Sequence, residues 1–83
     1  MTVTLRFVAA LRDRMGEAER RITLPETITD SDSLVAHLRE LDSAAEALAH
    51  PSVRLILNDM ITPRPCPLKD GDTLAFCPPF TGG

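Results

Sequence analysis

Thr29-Asp30-Ser31-Asp32-Ser33-Leu34-Val35-Ala36-His37-Leu38-Arg39-Glu40-Leu41 is the most strongly patterned run in the chain. Its oxygen-bearing start supplies acceptors for the free N–H groups that open a helix. Thr29 and Asp32 have the spacing of a capping box, with Asp32 in the third helical place. Leu34, Val35, Leu38 and Leu41 then fall on one helical face, and His37, Arg39 and Glu40 fall off it. A helix with one apolar stripe needs one apolar sheet face to cover, which predicts a two-layer α+β fold.

The segments around this helix read as strands. Val3, Leu5 and Phe7 alternate with Thr4, Arg6 and Val8. Ala9 to Met15 suits one short helix, with Leu11 and Met15 four apart and Gly16 as its stop. Glu19 to Leu24 alternates again, with Ile22 and Leu24 facing one way, and Pro25 ends it. With the first strand it suggests an N-terminal hairpin, across an Ala-rich turn that is long for one. Ser43 to His50 suits a further helical turn with Leu48 inward. Val53, Leu55 and Leu57 mark a third strand, and Asn58-Asp59 a turn into a short strand at Met60-Ile61. Pro63, Pro65 and Pro67 forbid a regular ladder. After an Asp70-Gly71 turn, Thr73 to Cys77 is the last strand, with Leu74 and Phe76 on one face and Ala75 and Cys77 on the other. The first and last strands are the most apolar, which places them centrally and side by side.

Composition narrows the function. The chain has 83 residues, 43% apolar and 25% charged, which suits one small globular domain and argues against intrinsic disorder. A domain of this size hides only roughly 60% of its unfolded surface, which leaves little depth for a self-sufficient active site. The net charge is −3, the only basic cluster is Arg20-Arg21, and there is no Tyr or Trp. Nucleic-acid binding by a basic stripe with stacking aromatics is therefore not expected. No apolar run approaches a membrane span and no signal-peptide pattern opens the chain, so a cytoplasmic location is expected. Cys66 and Cys77 read as reduced thiols, and with His37 and His50 they make no metal-ligand spacing. The two histidines read as surface or capping residues, Arg20-Arg21 as a solvated strand face, and Lys69 as a turn residue.

What remains is the tail. Pro78-Pro79-Phe80-Thr81-Gly82-Gly83 follows the last strand as a stiff exit ending in two residues without side chains. Chance accounts for such a glycine pair in roughly half a percent of chains at average usage, and Gly-rich ends are common. Against that, only Gly16 and Gly71 occur elsewhere, both at stop or turn positions. A carboxylate on Gly83 could pass through a narrow channel, because neither glycine presents a Cβ. It would be ionised at neutral pH and a poor electrophile until activated. The chain has no Gly-x-x-x-x-Gly-Lys loop for ATP, so activation requires another protein.

Leu57-Asn58-Asp59 and Pro67-Leu68-Lys69-Asp70-Gly71-Asp72-Thr73-Leu74-Ala75-Phe76-Cys77-Pro78-Pro79-Phe80-Thr81-Gly82-Gly83 resemble the C-terminal half of the molybdopterin synthase small subunit, the MoaD type within the MoaD/ThiS family. Phe7-Val8-Ala9-Ala10-Leu11-Arg12-Asp13 with Gly16 is similar to that family's opening strand and helix. The resemblance implies a β-grasp, ubiquitin-like fold: a mixed sheet of about five strands covered on one face by one main helix, with residues 1–83 a single domain and 78–83 its projecting tail. It implies a sulfur carrier that is not an enzyme alone. A ubiquitin-activating-like adenylyltransferase (MoeB type) would use ATP to adenylate Gly83, and sulfur transfer would make a thiocarboxylate. The large synthase subunit (MoaE type) would then take the tail and pass sulfur to cyclic pyranopterin monophosphate. No cofactor, metal, nucleic acid or membrane would be bound by the chain itself. Gly82, Gly83 and Thr81 match the family's tail. Cys77 departs from it, standing where a second Phe is frequent. Ile56, Ala75 and Cys77 on the outer sheet face, with Pro78, Pro79, Phe80 and Thr81, are the expected partner-binding residues. Carriers for thiazole or tRNA thiolation, a protein-conjugating modifier and a plain interaction module are the competing readings. The Pro-Pro-Phe-Thr lead-in favours the molybdopterin synthase carrier over the thiazole carriers.

Overall fold

The computed structural model describes residues 1–78. In chain order the elements are β1 (Thr2–Phe7), α1 (Ala10–Met15), β2 (Glu19–Thr23), α2 (Ser31–Leu41), a 3-10 helix (Ser43–Ala49), β3 (Arg54–Leu57), β4 (Met60–Thr62) and β5 (Thr73–Cys77). The strands form one five-stranded sheet in the order β2-β1-β5-β3-β4. β1 and β5 run parallel, and the other neighbours are antiparallel. The expected mixed sheet is present, and its first and last strands are adjacent.

The core follows from the two periodicities. Val3, Leu5 and Phe7 of β1, Leu74 and Phe76 of β5 and Leu55 of β3 present one buried sheet face. Leu34, Val35 and Leu38 of α2 cover it, with Leu11 and Met15 of α1 and Ala45 and Leu48 of the 3-10 helix closing the end. Phe7 and Phe76 stack across the parallel pair, ring centroids 5.9 Å apart. Gly16 ends α1 at φ 80, a conformation that favours residues without a Cβ, and its N–H reaches the Arg12 carbonyl.

Three sequence expectations are corrected here. The N-cap of α2 is Asp30, not Thr29, and its capping box closes with Ser33, not Asp32. Asp30 Oδ1 accepts from the Ser33 N–H at 2.8 Å, and the Ser33 hydroxyl oxygen accepts from the Asp30 N–H at 3.3 Å. Leu41 is 66% exposed, because Ala45 and Leu48 already fill the core beyond the end of α2. Arg20 is not solvated like Arg21. Its register with Leu5 puts it on the helix side, where it binds Glu17 at 2.7 Å, approaches Asp42 at 3.8 Å and lies over the Phe7 ring.

The proline segment is tied down without a ladder. Ser31, fully buried, accepts the Cys66 N–H on its hydroxyl, and its own N–H donates to the Cys66 carbonyl, both at 2.9 Å. The Arg64 guanidinium donates to the carbonyls of Leu48, His50 and Val53. A second tie holds the start of β5. Asp72 accepts from the Lys69 N–H and the Asn58 amide, and Asn58 Oδ1 accepts from the Thr73 N–H. Asp70 accepts from the Thr2 N–H, and the Gly71 N–H donates to the Thr2 carbonyl. The Asn58 and Lys69-Asp70-Gly71-Asp72 motif residues thus fasten β1, β3 and β5 at one end.

Candidate functional site

β5 carries the chain from that fastened end to the tail. It is central, with β1 on one side and β3 on the other, so Cys77 and Pro78 leave from the most constrained strand. Pro78 is half-buried. Pro79, Phe80, Thr81, Gly82 and Gly83, all expected tail residues, lie outside the described residues.

The other expected partner residues lie together. Ile56 is directly opposite Ala75, and Arg54 is opposite Cys77. Residues in register share a face, so Ile56, Ala75 and Cys77 all lie on the side away from α2. All three are half-buried. The structure adds Ile61, opposite Ile56 and 73% exposed, and Val8, 44% exposed. The Val8 N–H donates to the Phe76 carbonyl at 3.2 Å, which continues the parallel ladder to the level of Cys77. Arg6, in register with Ala75, and Arg54 supply positive charge on the same face. The result is a short apolar stripe, Ile61–Ile56–Ala75, with Cys77 and Val8 beside it and guanidinium groups at its border. Ile61, Val8, Arg6 and Arg54 are not evident as partners in the sequence, because the alternation within a strand does not reveal its register with the next.

Its exposed apolar residues bordered by guanidinium groups make this a surface suited to docking. Among the described residues no three His, Cys, Asp or Glu side chains could hold a metal ion. Both cysteines are free thiols, Cys66 buried and Cys77 half-buried. Lys69 is an exposed turn residue. His50 caps the 3-10 helix, and its Nδ1 accepts from the Ser52 N–H at 3.1 Å. No helix among the described residues is long and apolar enough to cross a membrane.

A fold of this kind, with a tail leaving its central strand, has known relatives. The family model described as "ThiS family" matches residues 5–83, nearly the whole chain and all of the tail. The chain belongs to the ThiS family.

Solved structures agree with a ThiS-family β-grasp. SAMP1 from Haloferax volcanii is similar over 100% of both chains, with TM-score 0.81 and 18% identity. Subunit 1 and 2 of molybdopterin-converting factor from Helicobacter pylori form a protein–protein complex. A chain of that complex matches this ThiS-family chain at 30% identity and TM-score 0.68, covering 100% of each. Molybdopterin converting factor subunit 1 from Pyrococcus furiosus matches 95% of the chain and 98% of its own length, with 24% identity and TM-score 0.72. The fold is the ubiquitin-like β-grasp expected from the resemblance, and the chain is of the MoaD/ThiS type, a sulfur carrier or a ubiquitin-like modifier.

Proposed function

We propose that this ThiS-family chain is the sulfur-carrying subunit of molybdopterin synthase. The family match that runs through Gly82 and Gly83 carries the reading. The Helicobacter pylori relative, a chain from a two-subunit molybdopterin-converting factor, supports the pathway. In this reading an ATP-using adenylyltransferase of the MoeB type joins the Gly83 carboxylate to AMP and releases pyrophosphate. A sulfur nucleophile displaces AMP and leaves a thiocarboxylate. The large subunit, of the MoaE type, admits the tail, and sulfur passes to cyclic pyranopterin monophosphate while the carboxylate is restored. The sheet face around Ile56, Ala75 and Cys77 docks against these partners. The chain binds no cofactor, and ATP belongs to the activating enzyme.

The likeness in fold to SAMP1 makes a ubiquitin-like modifier the second reading. Both begin with an activated Gly83 and differ in the nucleophile, sulfur in one and a lysine amine in the other. Intact mass spectrometry of the chain, incubated with a MoeB-type enzyme, ATP and a sulfur donor, tests the first. The expected product has one oxygen of Gly83 replaced by sulfur. An unmodified carboxylate, under conditions that thiolate a known carrier, overturns it. Adding the large subunit and the pyranopterin precursor then separates molybdopterin synthesis from other thiolation routes. Gly83 joined to lysine amines of other proteins would favour the modifier.

A further inference from the structure

We infer that the groove beside the tail's exit is a second recognition surface, distinct from the sheet face, that receives a carboxylate-bearing apolar segment of the adenylating enzyme. The inference rests on the reading of the tail as delivered cargo. The groove has a volume of about 340 Å³, with Leu11, Ala47 and Val53 in its apolar lining and Arg14, His50 and Pro78 around them. Leu11 and Val53 belong to the core, 5% and 4% exposed, so the lining is the outer skin of a packed interior and is formed without a partner.

The polar lining points to the chemistry of the occupant. Arg14 is exposed and has no carboxylate partner among the described residues. His50 is exposed, and its Nδ1 accepts from the Ser52 N–H, so a neutral ring carries its proton on Nε2. Both groups are donors, and no acidic side chain lines the groove. An apolar lining with a guanidinium and an imidazole N–H fits an apolar side chain next to an Asp or Glu.

Position points to the source of that segment. Pro78 borders the groove and directly follows Cys77 of the sheet face, so the two surfaces meet at the base of the tail. Residues 79–83 reach at most roughly 17 Å when extended. An enzyme that draws Gly83 into its active site therefore closes over Pro78 and covers the ground on both sides of it.

Steady-state adenylation of the full chain tests this. Arg14→Glu replaces an exposed side chain, so its thermal midpoint should be unchanged, whereas His50→Glu also removes the acceptor of the Ser52 N–H and should lower it slightly. The expected effect of the double variant is a KM for the chain raised about tenfold, more at low salt, with kcat unchanged. Arg12→Glu, two residues earlier on α1 and outside the groove, should stay within about twofold of the parent, and Arg14→Lys should recover most of the loss. Equal KM for Arg14→Glu and Arg12→Glu overturns the proposal. Amide shifts of the labelled chain read the groove independently of turnover. Adding the enzyme without ATP should move Leu11, Ala47 and Val53, and their failure to move overturns the proposal. In the free chain, truncation after Pro78 should move only residues next to Cys77. Movement of Leu11, Ala47 and Val53 on truncation would assign the groove to the chain's own tail and overturn it. If the parent is never adenylated, the cargo reading fails, while the shift experiment still decides whether the groove binds the enzyme.

Discussion

Asp30 shows how much one side chain can organise. Its carboxylate accepts from both the N–H and the hydroxyl of Ser33, and these donors hold its carboxyl below the usual carboxylate range. A depressed folded value means that the ionised cap stabilises the fold above the unfolded value of ~3.9 and is lost as pH falls through the lower folded value. Asp30→Ala should cost about 1 kcal/mol at neutral pH. In urea unfolding across a pH series, the gap between parent and variant should narrow steadily below about pH 4. A gap that stays constant into acid would mean that the carboxylate is not the source. Its neighbour Ser31 presents the opposite case, a neutral group in the interior. Ser31→Ala leaves the buried Cys66 N–H without its acceptor. That should cost about 1–3 kcal/mol, because a buried donor loses its partner and gains no water. At this chain length it lowers the thermal midpoint by roughly 4–8 °C per kcal/mol, which calorimetry would read.

Elements built on a strict period were legible in the sequence, and those set by contacts between elements were not. β1 and β5 announce themselves by alternation, and Leu34, Val35 and Leu38 by helical spacing. The start of α2 was ambiguous, because Thr29, Asp30 and Ser31 are successive residues that could each cap a helix. Only the extended backbone at Asp30, φ −144, followed by helical residues from Ser31, selects among them. Leu41 keeps the helical period but lies where the 3-10 helix has taken over the core. Arg20 and Arg21 look alike in sequence and face opposite sides, since a strand turns alternate residues over. The same limit hides the candidate surface. Cys77 opposite Arg54, and Ile61 opposite Ile56, are facts of register. The groove lining was equally hidden, because Leu11, His50 and Pro78 are brought together only by the tertiary fold. The edges are guarded differently. β4 is three residues long and stopped by Pro63, whereas β2 displays Glu19 and Arg21. Both devices discourage unplanned strand pairing and leave the sheet face and groove as the proposed recognition surfaces.

At the scale of the whole molecule, stability and proposed chemistry occupy different parts of the chain. The core described above is built by residues 3–76, and β5 is fastened through Asp72 and Asn58 at the end away from the tail. The residues of that core and of those ties do not include Gly83, so changes at Gly83 should leave them in place. The proposed chemistry, by contrast, depends on the carboxyl carbon of Gly83 reaching a partner's active site through a path fitted to residues without a Cβ. Deleting Gly83 moves that carbon back by about 3.4 Å, one extended residue, and appending an alanine moves it forward by the same amount while adding a side chain. An error of that size is large for chemistry that requires reacting atoms at near-contact distances. Both variants should therefore lose sulfur transfer by at least about a hundredfold while keeping the parent's thermal midpoint and amide spectrum. The two readouts separate the possibilities. Lost transfer with an unchanged midpoint supports a carrier whose body serves recognition and whose end carries the reacting group. Full transfer by either variant would refute the tail mechanism, and a lowered midpoint would show that the body needs its tail.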